Sequence, residues 1–151
     1  MRISFLHTID TNEAVFGLAA MKAGWSSDQI RHATREDLRQ AMAQQSAPNC
    51  GAHGRVHEAV RSLMAEADAV IVTCATLGPA IDTMGETSVP IIRADAALAK
   101  AASRAGRNLV VLCAVESSVA PNRELFELHA AATGASVTVR LIPNAWALYQ
   151  E

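Results

Sequence analysis

The sequence predicts an α/β protein built on a parallel sheet flanked by helices. Three observations predict it. Short apolar runs recur along the 151-residue chain without polar alternation, as in strands covered on both faces. Helix-length segments with capping and stop signals separate them. The composition, half hydrophobic, 19% charged and 4% aromatic, is that of a soluble folded domain, neither disordered nor fibrous.

Arg2 to Leu6 reads as a first strand and His7 to Asn12 as the loop leaving it, with Asn12 placed to N-cap a helix through EAVFGLAAMKAG that stops near Gly24. Thr34 followed by Asp37 resembles a capping box opening TREDLRQAMAQQ. Ser46 to Gly54, SAPNCGAHG, is a turn cluster. RVHEAVRSLMAEA then sets Val56, Val60, Leu63 and Met64 on one helix face. Three unbroken apolar runs follow: AVIVT from Ala69 to Thr73, VPII from Val89 to Ile92, and NLVVLCA from Asn108 to Ala114. Between them lie helical segments from Gly78 to Met84 and from Asp95 to Ala105. A further helix, Pro121 to Thr133, carries proline in its first turn and stops at Gly134, and a last strand, SVTVRLI, precedes Pro143 and Asn144. The alternation of strand and helix points to a layered α/β architecture with right-handed crossovers. No repeat or low-complexity linker interrupts it.

A formal net charge of −2 with both signs dispersed leaves no basic patch for nucleic acid. The N-terminal MRISFLHTID is too short an apolar run for a signal peptide or a membrane span. Three irregularly spaced cysteines are no disulfide framework and point to a reducing, cytoplasmic compartment. No phosphate loop or dinucleotide fingerprint is present, and Gly78 alone is too weak a signal for one.

Ligands of a parallel sheet collect beyond the carboxyl ends of its strands. That rule brings four segments to one rim: His7 to Asn12, Cys74 to Gly78, Arg93 to Asp95 and Val115 to Ser118, with Asn144 to Trp146 as a possible fifth. Cys74 is the sharpest candidate. It follows a strand and precedes Ala75 and Thr76 at a helix entrance, where backbone N–H groups favour a thiolate or cradle a carboxylate. The competing reading is a packing cysteine. Asp10 and Thr11 suit either a substrate contact or a turn, and Glu116, Ser117 and Ser118 suit either a carboxylate or helix capping. Cys113 reads as a core thiol, His7 as a hydrogen-bonded rim histidine, and His32 and His129 as ordinary residues of helical surroundings. Cys50, His53 and His57 are spaced like metal ligands without an evident fourth; no metal site is assigned to them.

ADAVIVTCATLGPA, followed by VPIIRADAALAKAASRAGRNLVVLCAVESSVAPNRELFE, resembles the aspartate/glutamate/hydantoin racemase superfamily, which includes arylmalonate-decarboxylase-like proteins. LHTIDTNEAVFG and IRHATREDLRQAM are similar to the same group, so the resemblance covers nearly the whole chain. It implies a flavodoxin-like α/β fold of two lobes around a cleft, no cofactor, and proton transfer at the carbon next to a carboxylate of a small amino or related acid. In the racemases each lobe offers one cysteine. By this resemblance Cys74 is the first-lobe thiol, Asp10, Thr11, Ala75 and Thr76 line its side, and Glu116, Ser117 and Ser118 contribute from the second lobe. Residues 1–106 correspond to the first lobe and 107–151 to the beginning of the second. Family chains continue past the equivalent of LIPNAWALYQE and carry the second cysteine there, a context that neither Cys50 nor Cys113 shares. The expectations are therefore a racemase- or isomerase-like enzyme, a one-thiol decarboxylase-like enzyme, or a small-carboxylate-binding remnant. An incomplete second lobe exposes a sheet edge and apolar helix faces, which predicts a homodimer.

Overall fold

Every residue of strand β1 (Ile3–His7) is buried, which requires cover on both of its faces. The computed structural model describes residues 1–44 and 51–150 and shows how that cover is arranged. β1 lies inside a four-stranded parallel sheet of order β2-β1-β3-β4, with β2 (Ile30–Thr34), β3 (Ala69–Val72) and β4 (Ile91–Arg93). This is an α/β sheet flanked by helices, consistent with a flavodoxin-like order whose switch point falls between β1 and β3. The period of two sorts its side chains. Ile3, Phe5, Ala69 and Ile71 pack with Phe16 and Ala20 of helix α1 (Thr11–Lys22). Leu6, Val70 and Val72 pack on the other face with Leu38 of α2 (Glu36–Ala43), Val56, Val60 and Leu63 of α3 (Ala52–Met64), and Ala80 and Ile81 of α4 (Gly78–Asp82).

The chain divides into two units, Met1–Ala94 and Asp95–Glu151. The second unit holds nearly all of α5 (Ala94–Ala105), then β5 (Asn108–Cys113), α6 (Val119–Ala131), β6 (Ser136–Leu141) and α7 (Ala145–Gln150). β5 and β6 form a parallel pair. Ala99, Leu125 and Phe126 are its core, packed with Leu109, Val111 and Val137. No described helix is long and apolar enough to cross a membrane.

Several local expectations are corrected. IRHAT, with no apolar run, forms β2, because an edge strand with one covered face needs fewer apolar side chains. His32 therefore belongs to a strand, not a helix. The N-cap of α1 is Asp10, whose Oδ1 accepts the Thr11 N–H at 2.8 Å; Asn12 lies inside the helix. Thr34 ends β2 and donates to Glu13 Oε1 at 3.0 Å, so it caps nothing. Asp37 instead accepts from Arg35 at 2.7 Å and from Arg55 of α3 at 2.6 Å, ties that hold its carboxyl well below the usual range. NLVVLC is covered on one face only: Leu109 and Val111 point inward, while Val110 and Leu112 are each 63% exposed. Most of the turn cluster, including Cys50, lies outside the described residues.

The two environments predict opposite sensitivities. Leu38→Ala leaves a cavity beneath the first sheet and is expected to cost about 2–5 kcal/mol in urea unfolding. Val110→Thr, at an exposed position, is expected to stay within about 0.5 kcal/mol.

Candidate functional site

β1 and β3 run in register, with Leu6 opposite Val72, so the residues that follow, His7 and Thr73, meet at the carboxyl rim of the sheet. The Thr73 N–H continues the ladder to the Leu6 carbonyl at 3.1 Å. Thr73 Oγ1 also donates to that carbonyl, at 3.2 Å. A hydroxyl has a single proton, so the 2.9 Å contact between His7 Nδ1 and Thr73 Oγ1 has His7 donating. Neutral His7 then offers an unprotonated Nε2, which accepts from His32 Nδ1 at 2.8 Å. Phe5 stacks on both imidazoles, with centroids 5.7 Å from His7 and 5.1 Å from His32. Burial pushes the His7 imidazole down from 6.5 to about 4; neighbouring His32 adds to the fall and Glu13 opposes it. Neutrality of His7 across the physiological range keeps the donor pattern in place.

Cys74 comes next in the chain and faces the other way. It is half-buried and packs against the core shared with α2, α3 and α4. Its backbone is extended, at φ −114 and ψ 117, and it opens a 3-10 turn, Ala75–Leu77, that runs straight into α4. The Leu77 N–H closes the turn on the Cys74 carbonyl at 3.1 Å. Thr76 is buried in it, and Ala75 is half-buried. Across the turn, at the end of β4, Arg93 is only 9% exposed in its side chain and donates to Asp82 at 2.5 Å. Its guanidinium lies over Gly78: a Cβ there would stand 2.5 Å from Cζ and 2.9 Å from Nη1. Gly78 thus leaves room for a cation beside the Cys74 turn.

The other expected site residues divide between the units. Asp10 and Thr11 are exposed at the start of α1, on the sheet face opposite to the one where Cys74 packs, and the Asp10 carboxylate is engaged at the Thr11 N–H. Glu116, Ser117 and Ser118 form a 3-10 turn between β5 and α6. Glu116 is exposed, whereas Ser118 is buried and donates to the Val115 carbonyl at 2.8 Å. This turn repeats the plan of the Cys74 turn. Val115 is extended at φ −126 and ψ 141, and Val119 starts its helix at φ −65 and ψ −54, as Gly78 does at φ −50 and ψ −52. Val115 therefore occupies the position in the second unit that Cys74 holds in the first. Cys113 lies two residues earlier, buried, accepting from Asn122 at 3.5 Å.

His53 and His57 both reach the end of α4. His57 Nε2 donates to the Ala80 carbonyl at 2.7 Å, and His53 Nδ1 lies 3.2 Å from Thr83 Oγ1, which itself donates to Ala80. Together they fasten α3 to the end of α4. Among the described residues no group of three His, Cys, Asp or Glu is placed to hold a metal.

The sequence places Arg93 in a rim segment but singles out neither Thr73 nor His32 as a site residue. The signal for Thr73 was the spacing of the β1 and β3 ends, but pairing His7 with His32 needed a strand that IRHAT does not announce. No family model matches the chain, and comparison with curated proteins finds no match.

His7 makes stability pH-dependent with a definite sign. Above pH 6.5 the imidazole is neutral in both the folded and the unfolded chain. Between 6.5 and about 4 the unfolded chain takes up a proton that the folded one refuses, so stability is lost as pH falls. His7 alone accounts for roughly 3 kcal/mol of loss by pH 4. Urea midpoints from pH 7 to pH 4.5 are expected to fall more steeply for the native sequence than for His7→Phe.

Proposed function

We propose that this protein is a cofactor-independent enzyme of the racemase and isomerase type, moving a proton at the carbon α to a carboxylate through Cys74. The observation that carries this reading is the setting of Cys74: a half-exposed thiol at the carboxyl end of β3, beside the switch point, opening a tight turn into a helix. The Cys-bearing turn and the VES loop that resemble the aspartate/glutamate/hydantoin racemases add to it. On this reading the two units are racemase-type lobes, with Cys74, Ala75 and Thr76 on one and Glu116, Ser117 and Ser118 on the other. Asp10 and Thr11 stand at the same rim, on the other face of the sheet.

The chemistry follows from the acidity of the substrate. An α-proton is removed only when the charge left on the carboxylate is held by preorganised donors. A thiolate takes the proton, the electron pair of the C–H bond moves into the carboxylate as an enediolate, and the thiol returns a proton to carbon. The backbone N–H of Ala75, at the mouth of the turn, suits the developing charge. Inversion at carbon requires a second acid on the opposite face. A one-thiol variant needs no such partner: loss of carbon dioxide from an α-carboxylated acid leaves the same enediolate, and Cys74 protonates it from one side. A binding protein without turnover is the remaining reading. The exposed Val110 and Leu112 support self-association as a homodimer.

Incubation in deuterium oxide with small amino, hydroxy and malonate-type acids tests the reading by NMR. Deuterium at the α-carbon, or release of carbon dioxide, is expected. Cys74→Ser should slow it by about 10²-fold or more, and Cys113→Ser should not. Absence of both reactions across all three acid classes, with binding retained, would leave the binding protein.

A further inference from the structure

We propose that His7 is a positioning residue for Cys74, acting through the Thr73 hydroxyl, on the reading of Cys74 as the reacting thiol. A buried imidazole is an expensive way to end a strand whose other residues are Ile, Ser, Phe and Leu. An apolar side chain of the same volume would fill the space; what it would not supply is the hydrogen bond to Thr73.

The Thr73 hydroxyl is fully committed. It donates to the Leu6 carbonyl at 3.2 Å and accepts from His7 Nδ1 at 2.9 Å and from Asn12 Nδ2 at 3.4 Å. With one proton given and two accepted, its capacity is exhausted. Those partners tie the end of β3 to β1 and α1, and His7 extends the tie to β2 through His32. Extended backbone sends successive side chains to opposite faces. Holding Thr73 on the α1 side therefore holds Cys74 on the α3 and α4 side, at the mouth of its turn. His7 never touches the thiol; it sets the residue whose orientation determines where the thiol goes. Phe5 and Phe16 against the His7 ring keep that imidazole from turning.

Alkylation of Cys74 in the native protein reads this directly, with modified peptides identified by mass spectrometry. The ratio of iodoacetate to iodoacetamide rates reports how well the thiol and its turn are placed for a carboxylate. In the native sequence this ratio should exceed that of the urea-unfolded chain. His7→Asn keeps a donor at the Nδ1 position and should retain the ratio. His7→Gln keeps an acceptor toward His32 only, Thr73→Val removes the hydroxyl at constant shape, and each should lower the ratio by about 3-fold or more, an order set by loss of one hydrogen bond. The double variant should fall no further than either single one, as for residues acting as one unit. Equal losses in His7→Asn and His7→Gln that track unfolding midpoints, or additive losses in the double variant, would overturn the positioning role while leaving Cys74 as the reacting thiol. A native ratio no higher than the unfolded one would overturn the reading of Cys74, and the role of His7 with it.

Discussion

A strand buried on both faces can end in an imidazole only if both ring nitrogens find partners inside the protein. That constraint governs the first unit. β1 is the strand that β2 and β3 both pair with, and each side chain from Ile3 to His7 is withdrawn from water. His7 satisfies one nitrogen on β3 and the other on β2, at 2.9 and 2.8 Å. The demand of a single buried polar group thus reaches three adjacent strands, and one of them leads directly to Cys74. Orphaned buried nitrogens are costly enough that such a chain forms completely or not at all.

The surroundings of Cys74 show the same economy. Its turn is closed by its own carbonyl, its side chain borrows packing from the core beneath α3 and α4, and a cation sits behind it because residue 78 has no Cβ. The cation is anchored by Asp82 from within the same helix. His57 and His53 secure that helix from α3. Residues that resemble a metal set in sequence therefore support the turn on which the thiol stands.

The passages from β3 to α4 and from β5 to α6 take the same form, with an extended residue, a 3-10 turn and an immediate helix. The side chain at the extended residue differs: a thiol in the first unit, an isopropyl group in the second.

Patterns that depend on neighbours along the chain were legible in the sequence. The runs AVIVT and SVTVRLI, the helix with Val56, Val60 and Leu63, the stop at Gly24 with its φ of 94, and the core role of Cys113 all follow from periodicity, backbone freedom and side-chain chemistry within a short window. The strand-end place of Cys74 was legible for the same reason. What tertiary structure decided were matters of pairing across distance. IRHAT becomes a strand because β1 offers it an edge, His32 becomes the partner of His7 because those strands align Phe5 with His32, and Gly78 matters because Arg93 arrives from another strand. Half of NLVVLC remains exposed because α5 and α6 pack on one face of a two-stranded sheet. Local sequence specifies which segments can be strand or helix; which side chains then meet is set by register and by the free energy of pairing buried polar groups, and neither is written in any one segment.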